Sequence, residues 1–216
     1  MKTFFELMDE CRLIAILRGI PSEMLTDVLD ALYDGGVRLA EITYDTAGKT
    51  PDAATADNIA RAVRHTEGRM YIGAGTVIRP EQVSMTRDAG GRFIISPNTD
   101  AKIIEMTKLL GLYSIPGAMT VSEIVTAMQA GADYVKVFPV ACLGPEFVKF
   151  TLAPISTAKL LAVSGVTLDT IPAYLDAGCV GFGIGGAIAN GKLCAEGKLD
   201  VIRENAKKFA QACRNI

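Results

Sequence analysis

Ala130-Gly131-Ala132-Asp133-Tyr134-Val135-Lys136-Val137-Phe138-Pro139 carries the chain from the end of one element through the whole of the next. Upstream, residues 121–130 repeat apolar side chains at spacings of three and four and stop at a glycine, as an amphipathic helix with a C-terminal cap does. Downstream, residues 134–138 are a short apolar run closed by proline, which suits a strand covered on both faces. The same unit recurs in both directions. Apolar runs at 13–17, 39–43, 71–75, 93–96, 113–116, 134–138, 159–163 and 181–184 alternate with helical patterns at 23–33, 51–65, 80–89, 101–110, 121–130 and 167–177. Glycines punctuate the helix ends at Asp34-Gly35-Gly36, Ala89-Gly90-Gly91, Leu110-Gly111 and Ala177-Gly178. Eight strands joined this way predict an α/β fold, a (β/α)8 TIM barrel in preference to an open doubly wound sheet. Residues 3–11 precede the first strand and are expected to cap the bottom of the barrel, and 200–214 to close it. No linker or low-complexity tract interrupts the pattern, so residues 1–216 read as a single domain.

Composition narrows the partners. The 216 residues carry a formal charge of −2 and no clustered basic run, which argues against nucleic acid or an anionic membrane surface. Without an 18-residue apolar stretch there is no candidate span, and the first residues lack a secretory pattern. Five cysteines, odd in number and without a CxxC pair, suggest reduced thiols in the cytoplasm, not a disulfide framework or zinc site. His65 is the single histidine, in a polar stretch expected to be a solvated helix end; its solitude rules out a His-rich metal site.

The chemistry is sought at the carboxyl ends of the strands, where barrel active sites lie. Lys136 shares a face with Tyr134 and Phe138 while Val135 and Val137 face the other way. Burial would lower its pKa and leave neutral amine able to attack a ketone; the competing reading is an edge-strand lysine reaching to water. Glu41 stands between Ala40 and Ile42, where burial would raise its pKa and fit it to move protons, unless it serves a structural ion pair with Lys136 or Arg18. Arg18 offers a fork for a carboxylate or phosphate, or a salt bridge on the rim. Ser164-Gly165 and Gly185-Gly186 follow the last two strands, where backbone N–H groups commonly hold phosphate, although glycines there also serve tight turns.

Taken together these residues resemble a known family, the class I aldolases acting on 2-keto-3-deoxy-6-phosphogluconate, its galactonate epimer and 4-hydroxy-2-oxoglutarate. The resemblance runs in order through Ile14-Ala15-Ile16-Leu17-Arg18, Glu41-Ile42-Thr43, Gly73-Ala74-Gly75-Thr76, Ile95-Ser96-Pro97, Ile115-Pro116-Gly117 with Thr120 and Glu123, and Val135-Lys136-Val137-Phe138-Pro139. It implies that Lys136 forms the Schiff base and Glu41 is the general acid/base, with Arg18, Thr76, Pro97 and Phe138 lining the pyruvyl end. It also implies a homotrimer, a small keto acid as substrate, and no cofactor or metal beyond the covalent imine. The chain departs from the family at Ser164, where a Gly-Gly pair is common, and at Gly186, where serine is common. The segment 13–20 and Ala162-Val163 look most like the phosphogalactonate branch. Two rivals remain on the same scaffold: a phosphosugar isomerase or epimerase using Glu41 and Asp45, and a non-catalytic sugar-acid-binding barrel with Lys136 ion-paired to Glu41.

Overall fold

Each predicted apolar run is extended in the computed structural model, which describes residues 2–214. In chain order the elements are α1 (Phe4–Cys11), β1 (Leu13–Leu17), α2 (Leu25–Asp34), β2 (Leu39–Thr43), α3 (Asp52–Thr66), β3 (Tyr71–Gly75), α4 (Pro80–Asp88), β4 (Phe93–Ile95) and α5 (Ala101–Leu109). They continue with β5 (Tyr113–Ile115), β6 (Gly117–Ala118), α6 (Val121–Gln129), β7 (Val135–Val137), α7 (Gly144–Leu152), β8 (Leu160–Val163), α8 (Ile171–Asp176), β9 (Gly181–Ile184), α9 (Gly191–Ala195) and α10 (Leu199–Arg214). All ladders are parallel, and β1 pairs with both β2 and β9. From β5 the order runs back through β4, β3 and β2 to β1, and on through β9 and β8 to β7 and β6.

The fifth predicted strand, 113–116, is found as β5, and the barrel strand it belongs to continues past the predicted end as β6. Pro116 has no N–H to donate, so the ladder lapses between β5 and β6. The ring still closes there: Asp133 N–H donates to the Ser114 carbonyl at 2.9 Å, and Lys136 N–H to the Pro116 carbonyl at 2.9 Å. The result is a (β/α)8 barrel with α1 at its bottom. Two helices were absent from the sequence pattern. Helix α7 begins Gly144-Pro145 and α9 is five residues long, so neither offers a sustained periodic stretch.

Alternation along each strand sorts the apolar residues into two cores. Leu13, Ala15 and Leu17, with Ala40, Ile42, Val135 and Val137, pack outward against the helices. Ile14, Leu39, Tyr71, Phe93, Ile95, Ile115, Tyr134 and Leu161 fill the lumen together with Phe4, Leu7, Met8 and Cys11 of α1. The Phe4 ring is fully buried and stacks on Tyr113 at 4.2 Å between centroids. Helix α1 is held by a capping box between Thr3 and Glu6. The lower lumen is therefore solid, and only the upper end is left for polar side chains.

Candidate active site

Strand β7 delivers Lys136 to the lumen because Tyr134, Lys136 and Phe138 share its inner face. Its side chain stands above the apolar floor, 7% exposed, with Nζ 4.6 Å from the centroid of the Phe138 ring. Burial lowers its pKa; the Arg18 guanidinium lowers it further, and only Glu41 works in the opposite sense. The edge-strand alternative does not describe this lysine.

Glu41 enters from β2, which stands four strands from β7 in either direction when β5 and β6 count as one. It is 2% exposed, and burial raises its pKa to about 7 against the pull of Lys136 and Arg18. Its Oε2 is buried without a hydrogen-bond partner. Among the described residues neither Glu41 nor Lys136 forms an ion pair within 4.0 Å, so the structural salt bridge is not the arrangement found. Space for the carboxylate comes from the neighbouring strand. A Cβ on Gly75 would lie 2.4 Å from Glu41 Oε1, and one on Gly73 2.5 Å from the Phe93 ring. The glycines of Gly73-Ala74-Gly75 therefore keep the lumen from overfilling at the level where the acid sits.

Arg18 follows β1 at the rim and donates from Nη2 to Thr76 Oγ1 at 3.0 Å. Thr76 adopts a left-handed backbone, φ +59°, just beyond β3. These groups open on one cavity of about 810 Å³. Arg18, Glu41, Thr76, Pro97, Lys136, Phe138, Ser164, Gly165, Gly185 and Gly186 all line it. Thr46, Ile78, Val166 and Ala187 line it as well and were not singled out in the sequence. Thr46 and Ile78 belong to strand-to-helix loops, whose course periodicity does not reveal.

Asp45 lies elsewhere. Its carboxylate accepts the backbone N–H groups of Ala47, Lys49 and Thr50 at 2.8 Å each, which hold its pKa below the usual carboxylate range. It ties its own loop and does not line the cavity. His65 sits in the last turn of α3, half-buried, with Nε2 2.9 Å from Asp30 Oδ2, so it is paired and not simply solvated. Among the described residues no group of three or more His, Cys, Asp or Glu side chains is gathered as a metal site. Among the described residues no helix is long and apolar enough to cross a membrane.

The arrangement offers a deprotonatable amine, a carboxylate poised near neutrality across from it, and a guanidinium–hydroxyl pair at the rim on the two strands that flank the carboxylate's own. A family model described as KDPG and KHG aldolase matches residues 5–205. The 2-dehydro-3-deoxy-6-phosphogalactonate aldolase of Escherichia coli (strain K12) is 37% identical over 175 residues, 80% of this chain and 82% of that protein. The 2-dehydro-3-deoxy-phosphogluconate aldolase of Treponema pallidum (strain Nichols) is 30% identical over 176 residues, 81% of this chain and 80% of that one. A solved structure described as native KDPGal superposes with a TM-score of 0.84 at 32% identity, over 94% of both chains.

Proposed function

Because the chain belongs to the KDPG and KHG aldolase family, we propose that Lys136 is the amine that holds its substrate and Glu41 the group that moves its protons. The reaction is that of a class I aldolase, reversible cleavage of a keto acid to pyruvate and an aldehyde. Neutral Lys136 adds to the C2 ketone, and loss of water leaves an iminium that draws electrons from C3. Glu41, acting through a water, takes the C4 hydroxyl proton, and the C3–C4 bond breaks to give the aldehyde and an enamine. Glu41 then returns a proton to C3, and hydrolysis frees pyruvate and the lysine. Arg18 and Thr76 hold the substrate carboxylate, Pro97 and Phe138 flank the pyruvyl unit, and Ser164, Gly165, Gly185 and Gly186 face the distal end. The observation that carries this reading is the pair of buried, oppositely shifted ionisable groups on facing walls of one cavity.

The iminium acts as the electron sink, so the proposal includes no metal or dissociable cofactor. The resemblance in residues 13–20 and at Ala162-Val163, with the phosphogalactonate relative at 37% identity, favours 2-keto-3-deoxy-6-phosphogalactonate as substrate. Steady-state kinetics on the phosphogalactonate and phosphogluconate acids and on 4-hydroxy-2-oxoglutarate, with pyruvate release as readout, tests this. Highest kcat/KM on the galactonate epimer is expected, and release of no pyruvate from any of them would exclude aldol cleavage in favour of an isomerase or a binding protein. A trimer and a cytoplasmic setting are part of the same proposal. Light scattering should give three times the 22.9 kDa chain mass, and a monomer would remove the trimer.

A further inference from the structure

Among the described residues four that are not glycine have left-handed backbones: Arg12, Glu67, Thr76 and Ser164. Arg12 and Glu67 are helix C-caps, where that conformation closes the last turn. Thr76 and Ser164 are not caps, and both line the cavity. Thr76 is engaged, its hydroxyl accepting from Arg18. The Ser164 hydroxyl makes no hydrogen bond among the described residues, although its residue holds φ +77° and is exposed at the cavity mouth.

A serine gains little from this conformation, which glycine adopts freely. The backbone here is fixed from outside. Ala141 N–H donates to the Ser164 carbonyl at 3.2 Å, and Gly165, at φ +81°, has no room for a Cβ beside Ala141. Strain retained at an unpartnered polar side chain in a binding cavity points to a ligand that uses it. The remaining cavity wall near it, Val163, Val166, Gly185, Gly186 and Ala187, offers no side-chain donor.

Resting on the aldolase reading above, we infer that Ser164 is the specificity-determining residue for the far end of the substrate, its hydroxyl donating to an oxygen borne beyond C4 of a six-carbon 2-keto-3-deoxy acid. The ring supplies the direction. Strands β3 and β8 stand four apart either way round when β5 and β6 count as one, so Thr76 and Ser164 cap opposite sides. A substrate with its carboxylate at Arg18 and Thr76 and C2 bonded to Lys136 on β7 sends its remaining carbons toward the β8 side.

Two substitutions separate the hydroxyl from the strain. Ser164→Ala removes the hydroxyl and keeps the strained backbone, while Ser164→Gly removes both. In each, kcat/KM on six-carbon acids should fall about tenfold relative to 4-hydroxy-2-oxoglutarate, mostly through KM. Thermal unfolding should show Ser164→Gly with a higher Tm than either the wild type or Ser164→Ala. A larger loss on the phosphorylated acid identifies a phosphoryl oxygen as acceptor, and an equal loss with and without phosphate identifies a sugar hydroxyl. An unchanged long-to-short ratio in both variants overturns the inference, as does a wild-type enzyme that forms the pyruvate imine yet cleaves no six-carbon acid. Failure to form that imine at all would instead remove the aldolase reading beneath it.

Discussion

Glu41 is the residue on which pH acts. Its pKa of about 7 means that the ionised form, which accepts the proton, diminishes as pH falls through neutrality. Exchange of the C3 protons of pyruvate with solvent should therefore drop on the acid side of about pH 7, approaching tenfold per unit well below it. Glu41→Gln should retain part of its imine formation while losing most of this exchange and its acid limb; unchanged exchange would remove Glu41 from the mechanism. Stability follows the same linkage with a fixed sign. Because the folded pKa lies above the unfolded value of 4.5, the contribution is fully present below pH 4.5 and is lost as pH rises through 7. In denaturant titrations the stability of Glu41→Gln relative to wild type should thus grow between pH 5 and pH 8, by on the order of 3 kcal/mol. Both ionisable residues were legible in the sequence because a charged side chain inside an apolar strand run has few structural uses. Thr46 and Ile78 were not, since a threonine or isoleucine in a loop carries no such anomaly.

At the level of the element, β3 shows how a strand serves a neighbour by what it lacks. Its inward positions are Tyr71, Gly73 and Gly75, large at the floor and empty where Phe93 and Glu41 need room. Gly75→Ala should push the Glu41 carboxylate aside. Pyruvate exchange is expected to fall at least tenfold with borohydride trapping largely kept, a split that general destabilisation would not produce. Equal loss of both would argue against a local displacement. The pattern exposed β1 most plainly because Arg12 and Arg18 bound its apolar run on either side. It ended the fifth strand at Pro116 and so missed β6, since a proline followed by glycine reads as a turn although the chain runs on in the barrel. It missed α7 because Gly144 and Pro145 mimic a loop, and helix-favouring contacts such as that of buried Val148 are tertiary.

For the whole molecule, the decisive division is between a sealed lower lumen and an open upper one. Phe4 closes the bottom through Tyr71, Phe93 and Tyr113, so Phe4→Ala should cost about 3–5 kcal/mol in denaturant unfolding. The KM of the protein that remains folded should be little altered, because Phe4 and the cavity lie at opposite ends of the barrel. A large change in KM with normal stability would contradict that division. The barrel itself could be read from helix, glycine and strand recurring through the chain, whereas the plug's partners depend on ring closure and could not be paired in advance. The ring also places one amine above an apolar floor, and its reactivity is the claim on which the account rests. Borohydride reduction in the presence of pyruvate, followed by peptide mass mapping, should find a single reduced pyruvyl adduct, on Lys136. An adduct on another lysine, or none at all, would contradict the account.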